Sequence, residues 1–81
     1  MSLVEVLQSG NYHLIDVREP MELEMNGSIE EAQNIPLGEL GERKQEILSL
    51  SGPKVFFCRS GNRSGQAVAY FQSEGVADVY N

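Results

Sequence analysis

Cys58 is the only cysteine in the chain, and it stands where Val55-Phe56-Phe57 gives way to Arg59, Ser60, Gly61, Asn62, Arg63 and Ser64. A thiolate is the reactive form of cysteine, and helix N-termini and nearby cations lower the thiol's pKa from its free value of about 8.5. Residues 59–63 run from an apolar strand into a helical pattern, so successive backbone N–H groups can converge on one point at the positive end of a helix dipole. An anion belongs at that point, and the first candidate is the Cys58 sulfur itself. Taken alone, a free cysteine after an apolar strand reads as an inert buried hydrophobe. The conjunction of strand end, glycine-containing turn, flanking arginines and helix start points instead to a nucleophile.

Around Cys58, Gly61 can take backbone conformations closed to other residues, and Gly65 is expected to let the helix approach the sheet. Ser60 and Ser64 can donate hydroxyls to the same anion, and for Ser64 helix capping is an equally good role. Arg59 and Arg63 can bind an anionic substrate; Arg63 can equally be a fork that ties the loop to a carboxylate. His13 falls near the start of its predicted strand, at the opposite pole from Cys58, which argues against a Cys–His dyad. One cysteine and one histidine supply neither a disulfide framework nor a structural zinc site, and no metal or organic cofactor is indicated.

The elements that must position this loop alternate along the chain. Leu3, Val4 and Leu7 recur at helical spacing between Ser2, a cap, and Gly10, a stop. Tyr12 to Arg18 reads as a strand, and Pro20 opens a short acidic helix that ends at Asn26-Gly27. "AQNIPL" is a brief extended segment limited by Pro36, and "GELGERKQEILSL" returns to helical spacing with Gly41 as its weak point. "KVFFC" resembles a parallel strand covered on both faces, residues 62–75 form a helix with Ala67, Val68 and Phe71 toward the sheet, and "VADVY" is a last strand. This alternation predicts an α/β fold with a mostly parallel sheet, in which ligands bind beyond the carboxyl ends of the strands. Cys58 follows such an end.

An 81-residue chain has room for one small domain. Its net charge of −6 argues against nucleic-acid or anionic-membrane partners. Glu19, Glu22, Glu24, Glu30 and Glu31 crowd one stretch, whose simplest reading is a solvated face. No segment reaches the ~20 apolar residues of a membrane span and no signal-peptide pattern opens the chain, so a cytoplasmic protein is expected, or a periplasmic one had a targeting segment been removed.

"LIDVREPMELEMNGSIEEAQNIPLGEL" and "VFFCRSGNRS", in this order, resemble the N-terminal signature and active-site loop of the single-domain rhodanese family, the sulfurtransferases. The resemblance implies one rhodanese-like domain over residues 1–81, with an open, mostly parallel sheet of about five strands flanked by helices. It also implies that Cys58 accepts sulfur as a persulfide, that Arg59, Ser60, Gly61, Asn62 and Arg63 complete the active-site loop, and that Asp16 and Arg18 support the site from a neighbouring strand end. A turn-side salt bridge is the simpler reading of those last two.

Ping-pong transfer of a sulfane sulfur is the activity implied, from a small anionic donor such as thiosulfate or a persulfide to cyanide or to a thiol, free or on a protein. The Cys-x4-Arg spacing is one residue shorter than the Cys-x5-Arg loop of cysteine phosphatases, which favours sulfur over phosphate. The alternatives are a small cysteine-dependent phosphatase or arsenate reductase, and a non-enzymatic partner-binding module that uses the acidic face. Two features depart from the family pattern. Ser28, Ile29, Glu30, Glu31 and Ala32 replace a His-Ile-Pro-Gly-Ala-like stretch, and the sequence stops at Asn81, where many members continue into a glycine-rich turn and a final helix. Either that piece has been trimmed, or the pocket is unusually open.

Overall fold

The computed structural model describes residues 2–81. Helix α1 spans Leu3–Ser9, strand β1 His13–Asp16, helix α2 Pro20–Asn26, strand β2 Gln33–Asn34, helix α3 Lys44–Leu48, strand β3 Lys54–Phe57, helix α4 Asn62–Ser73 and strand β4 Val79–Tyr80. The strands form one sheet in the order β2-β1-β3-β4, with every pair parallel. The α/β alternation and parallel sheet therefore appear as the sequence predicts. The expected strand count of about five is corrected to four among the described residues, because the sequence itself holds four extended segments and the fifth was implied by the resemblance alone.

Local chemistry explains where these elements stop. The Ser2 hydroxyl accepts from the Glu5 amide and the Glu5 carboxylate accepts from the Ser2 amide, a reciprocal cap that starts α1. β1 ends at Asp16 rather than at Arg18, because the Asp16 carboxylate accepts the Arg18 amide at 3.0 Å and turns the chain out of the ladder. The segment expected to be helical after Pro36 divides into a 3₁₀ turn, Leu37–Glu39, and α3, with Gly41 in the gap between them. There Arg43 bridges Glu39 and Glu46, tying the two pieces together.

Successive side chains of a strand point to opposite faces. Val55 and Phe56 are both buried, as are Ile15 and Asp16, so the two central strands are covered on both sides. Phe56 stacks on Phe71 of α4 with ring centroids 5.5 Å apart, and Ile15, its register partner on β1, belongs to the same core as Val17, Ile35, Ile47 and Ala67. Cys58, two residues beyond Phe56 and on the same face, packs against this core. The apolar stripe of α4 thus sets the depth at which the sulfur sits.

Candidate active site

Asp16 and Phe57 are register partners at the carboxyl ends of β1 and β3, so the loops that follow leave the sheet side by side. His13 pairs with Lys54 at the other ends of the same strands and bonds the Ser51 carbonyl oxygen through Nε2 at 3.0 Å. At ~3.3 Å per residue the four steps from Lys54 to Cys58 cover ~13 Å, which leaves His13 out of reach of the sulfur.

The Cys58 sulfur accepts from the Gly61 amide at 3.1 Å and from the Ser64 amide at 3.4 Å, and the Ser64 Oγ lies 3.6 Å away. Gly61 makes this ring possible: its φ of +86° is left-handed, and it serves as the N-cap of α4. Nothing lies within 4 Å of a Cβ built on Gly61, so the constraint there is conformational, not spatial. Gly65 behaves differently from expectation. A Cβ on it would meet only Asn81 Nδ2 at 3.7 Å, an ordinary contact, so close approach of helix to sheet does not require glycine at that position.

Burial pushes the Cys58 thiol up, but hydrogen bonds from the Ser64 amide and hydroxyl and from the Ser60 and Gly61 amides outweigh it and lower the pKa to about 7. The amides and one hydroxyl are therefore the main stabilisers of the thiolate, and of the two arginines credited from the sequence Arg63 acts on it only through space. Arg63 is held elsewhere: its two terminal nitrogens fork onto Glu22 of α2 at 2.5 and 2.8 Å. That fork, together with the Glu19 amide, draws the Glu22 carboxyl down to about 2. Of the two expected roles for Arg63, the structural fork is the one observed. Arg59 is exposed, and among the described residues it is the only Lys or Arg side chain without a carboxylate partner.

Ser64 is almost fully buried, and it does not cap α4: its Oγ lies 3.1 Å from the Gly61 carbonyl oxygen as well as 3.6 Å from the sulfur. Asn81 Nδ2 donates to both the Gly61 carbonyl oxygen and the Ser64 Oγ, each at 3.3 Å. The Ser64 hydroxyl donates to that carbonyl and accepts from Asn81, so Asn81 fixes the position of the Oγ beside the sulfur. Ser60 Oγ accepts from the Asn62 amide at 3.3 Å and shapes the turn, while the exposed Asn62 begins α4.

Arg18 shares a cavity with Cys58, and Asp16 anchors Arg18. Arg18 donates to Asp16 through Nε and a terminal nitrogen at 2.7–3.1 Å, and the same terminal nitrogen reaches the Gly27 carbonyl oxygen at 3.1 Å. Arg18, Asn26, Gly27, Ser28, Ile29 and Phe57 line a cavity of about 360 Å³ together with Cys58. The salt bridge read from the sequence is present, and it also fixes one wall of the cavity. Residues 28–32, where the family pattern is broken, close a turn through the Ala32 amide and the Ile29 carbonyl.

A parallel strand end, amides converging on one sulfur and a cavity beside it thus meet at one edge of the sheet. A family model for the rhodanese-like domain matches residues 2–81. The chain belongs to that family. It is 44% identical over 68 residues to the uncharacterized protein YqhL of Bacillus subtilis, covering 84% of this chain and 52% of that one. To a sulfurtransferase of Allochromatium vinosum it is 39% identical over 72 residues, covering 84% of this chain and 62% of that one. It thus spans between half and two thirds of the length of these two curated relatives. The human single-domain sulfurtransferase superposes with a TM-score of 0.75 at 33% identity, covering all of this rhodanese-like chain and 85% of the human one. The family is one of sulfurtransferases, and among the described residues no helix is long and apolar enough to cross a membrane.

The residues that sequence reasoning missed are Glu22 as the partner of Arg63, Asn81 as the donor behind Ser64, and the cavity wall from Asn26 to Ile29. Glu22 stood within the acidic run but carried no mark that set it apart from its neighbours. Asn81 is brought to the loop only by the pairing of β4 with β3.

Proposed function

We propose that this chain is a sulfurtransferase in which Cys58 carries sulfur as a persulfide. The observation that carries the reading is the convergence of the Gly61 and Ser64 amides on the Cys58 sulfur, which stabilises a thiolate without covering it. In the first step the thiolate attacks the outer sulfur of thiosulfate. A bond forms between Sγ and that sulfur, the sulfur–sulfur bond of thiosulfate breaks, and its electron pair leaves with sulfite. The negative charge then rests on the outer sulfur of the persulfide, where pre-oriented amide dipoles stabilise it at little reorganisation cost. In the second step cyanide or a thiolate attacks that outer sulfur, and the electron pair of the Sγ–S bond returns to Cys58.

Arg18 holds the cavity wall, Asp16 holds Arg18, and Arg59 supplies the unpaired positive charge that draws the anionic donor in. Ser60, Asn62 and Arg63 keep the loop in shape, the last through Glu22. A phosphate ester is a poorer match, because the loop arginine of the Cys-x4-Arg arrangement, Arg63, has its guanidinium committed to Glu22 and is not free for bidentate recognition of phosphate.

Intact-protein mass spectrometry after incubation with thiosulfate, on wild type and Cys58→Ser, tests the proposal. A gain of one sulfur atom by wild type alone, lost as thiocyanate when cyanide is added, is the expected result. No adduct on folded wild-type protein would overturn it.

A further inference from the structure

Helix α2 turns two large apolar side chains outward, with Met21 69% and Met25 78% exposed. Four residues apart, they share one face of the helix. With Glu19, Pro20, Glu22 and Asn26 they line a groove of about 530 Å³. Asn26 is also a wall of the Cys58 cavity, so groove and cavity meet there, and Ile29, 45% exposed, continues the apolar surface along the cavity. A small anion that reaches Cys58 makes no use of this shelf.

The charge around the groove indicates what covers it. Glu19 lines the groove and Glu24 lies on the same helix; both are exposed and make no ion pair among the described residues, whereas five of the six Lys and Arg side chains are paired. An occupant that seats on the methionines must therefore bring its own cations. Methionine suits such a surface, because its unbranched, polarisable chain repacks against different apolar partners.

We propose that the groove from Cys58 past Asn26 to Met21 and Met25 docks a protein sulfur acceptor, one that presents its cysteine beside lysine or arginine residues and a short apolar segment. This rests on the sulfur-transfer reading above. The docked thiolate attacks the outer sulfur of the Cys58 persulfide, the Sγ–S bond breaks with its electron pair returning to Cys58, and the acceptor leaves as the persulfide. No other oxidant or reductant enters.

The test separates docking from chemistry. Binding is read by fluorescence anisotropy on a short labelled peptide with leucines and lysines around a serine, against a control with glutamates in place of the lysines. Sulfur passage is read with the cysteine form of the same peptide and, separately, with cyanide. Wild type is expected to bind the lysine peptide more tightly than the control, and less tightly as salt rises. Met21→Ser with Met25→Ser, and separately Glu24→Lys, should each weaken binding and peptide sulfuration by about tenfold, with thiocyanate formation unchanged.

Equal binding of the two peptides, or variants that bind as wild type does, would overturn the proposal. So would a wild-type dimer in sedimentation that the double methionine variant breaks, since a second copy would then fill the groove. If wild type binds in the expected pattern yet takes up no sulfur from thiosulfate, the transfer reading and the acceptor role fall together, while the docking surface stands.

Discussion

The loops leaving β1 and β3 start as neighbours in one sheet, yet they balance negative charge in opposite ways. After β1 a buried carboxylate, Asp16, meets a full positive charge on Arg18, and the pair is nearly closed to water. After β3 a partly buried sulfur has only amides and a hydroxyl in direct contact, and the nearest full charge, on Arg63, acts on it through space while bonded to Glu22. A fork of guanidinium on carboxylate fills the acceptor positions of the anion and leaves it inert. Amide dipoles stabilise an anion from one side, and the Cys58 sulfur still lines the open cavity. The first arrangement builds a wall and the second builds a nucleophile.

Breaking the wall should have the largest effect. Arg18→Ala leaves the Asp16 carboxylate buried without its partner, a loss on the order of 3 kcal/mol of stability, measurable as a lowered urea midpoint. Arg63→Ala provides the contrast, because the Arg63–Glu22 pair is about one-third exposed on each side, at 31% and 28%. Its loss should lower the urea midpoint far less than that of Arg18, because solvent screens the charge left behind.

The amide ring is broken at its turn. Gly61→Ala forces a side chain into the left-handed region that Gly61 occupies at φ +86°, at a cost of about 1–2 kcal/mol. Since nothing crowds a Cβ there, the chain escapes the strain by turning the Gly61 amide away from sulfur. The expected signature is a modest drop in stability together with an upward shift in the pH at which Cys58 reacts.

Much of this comparison is legible in the sequence, and its limits have a physical cause. Strand, turn and helix around Cys58 follow from an apolar run, a glycine and a helical stripe, all local signals between Val55 and Phe71. Even the strand end at Asp16 could be read once the Asp-x-Arg turn was considered. What could not be read is pairing across the chain: Glu22 with Arg63, 41 residues apart, and Asn81 with Ser64, 17 apart. Local patterns mark which residues are available for such contacts, but only the packing of α4 and β4 on β3 selects the partners. The expected fifth strand failed for the complementary reason, since it came from a family average and no segment of this chain encodes it.

Ser64→Ala sharpens the chemistry of the ring with less damage. It keeps the Ser64 amide and removes only the hydroxyl, worth about 1 kcal/mol to the thiolate, so the pKa should rise by somewhat under one unit. In wild type the folded thiol ionises at about 7, below its ordinary value. Alkylation by iodoacetamide should therefore climb through pH 7 and level off above it. Because the folded pKa is depressed, thiolate formation contributes stability that is fully present above the unfolded value and is lost as pH falls through 7. In the variant the alkylation curve moves to higher pH, and an unmoved curve would assign the whole shift to the amides.

The smallest effect is expected at Arg59, the cation that neither loop uses for its own structure. A divalent donor several ångströms from one exposed guanidinium gains on the order of 1 kcal/mol in water, and at physiological ionic strength the Debye length of about 8 Å screens much of that. Arg59→Ala should raise KM for thiosulfate about fivefold at low salt and much less in physiological salt, with kcat unchanged because Arg59 touches neither sulfur nor cavity wall. Stability should not change, since Arg59 has no carboxylate partner to abandon. A KM that is unaltered at low salt would remove Arg59 from donor capture and leave near Cys58 only cations already paired, Arg18 with Asp16 and Arg63 with Glu22. The division between a wall that is neutralised and a nucleophile that is exposed would then extend to substrate entry, with the donor drawn in by backbone dipoles alone.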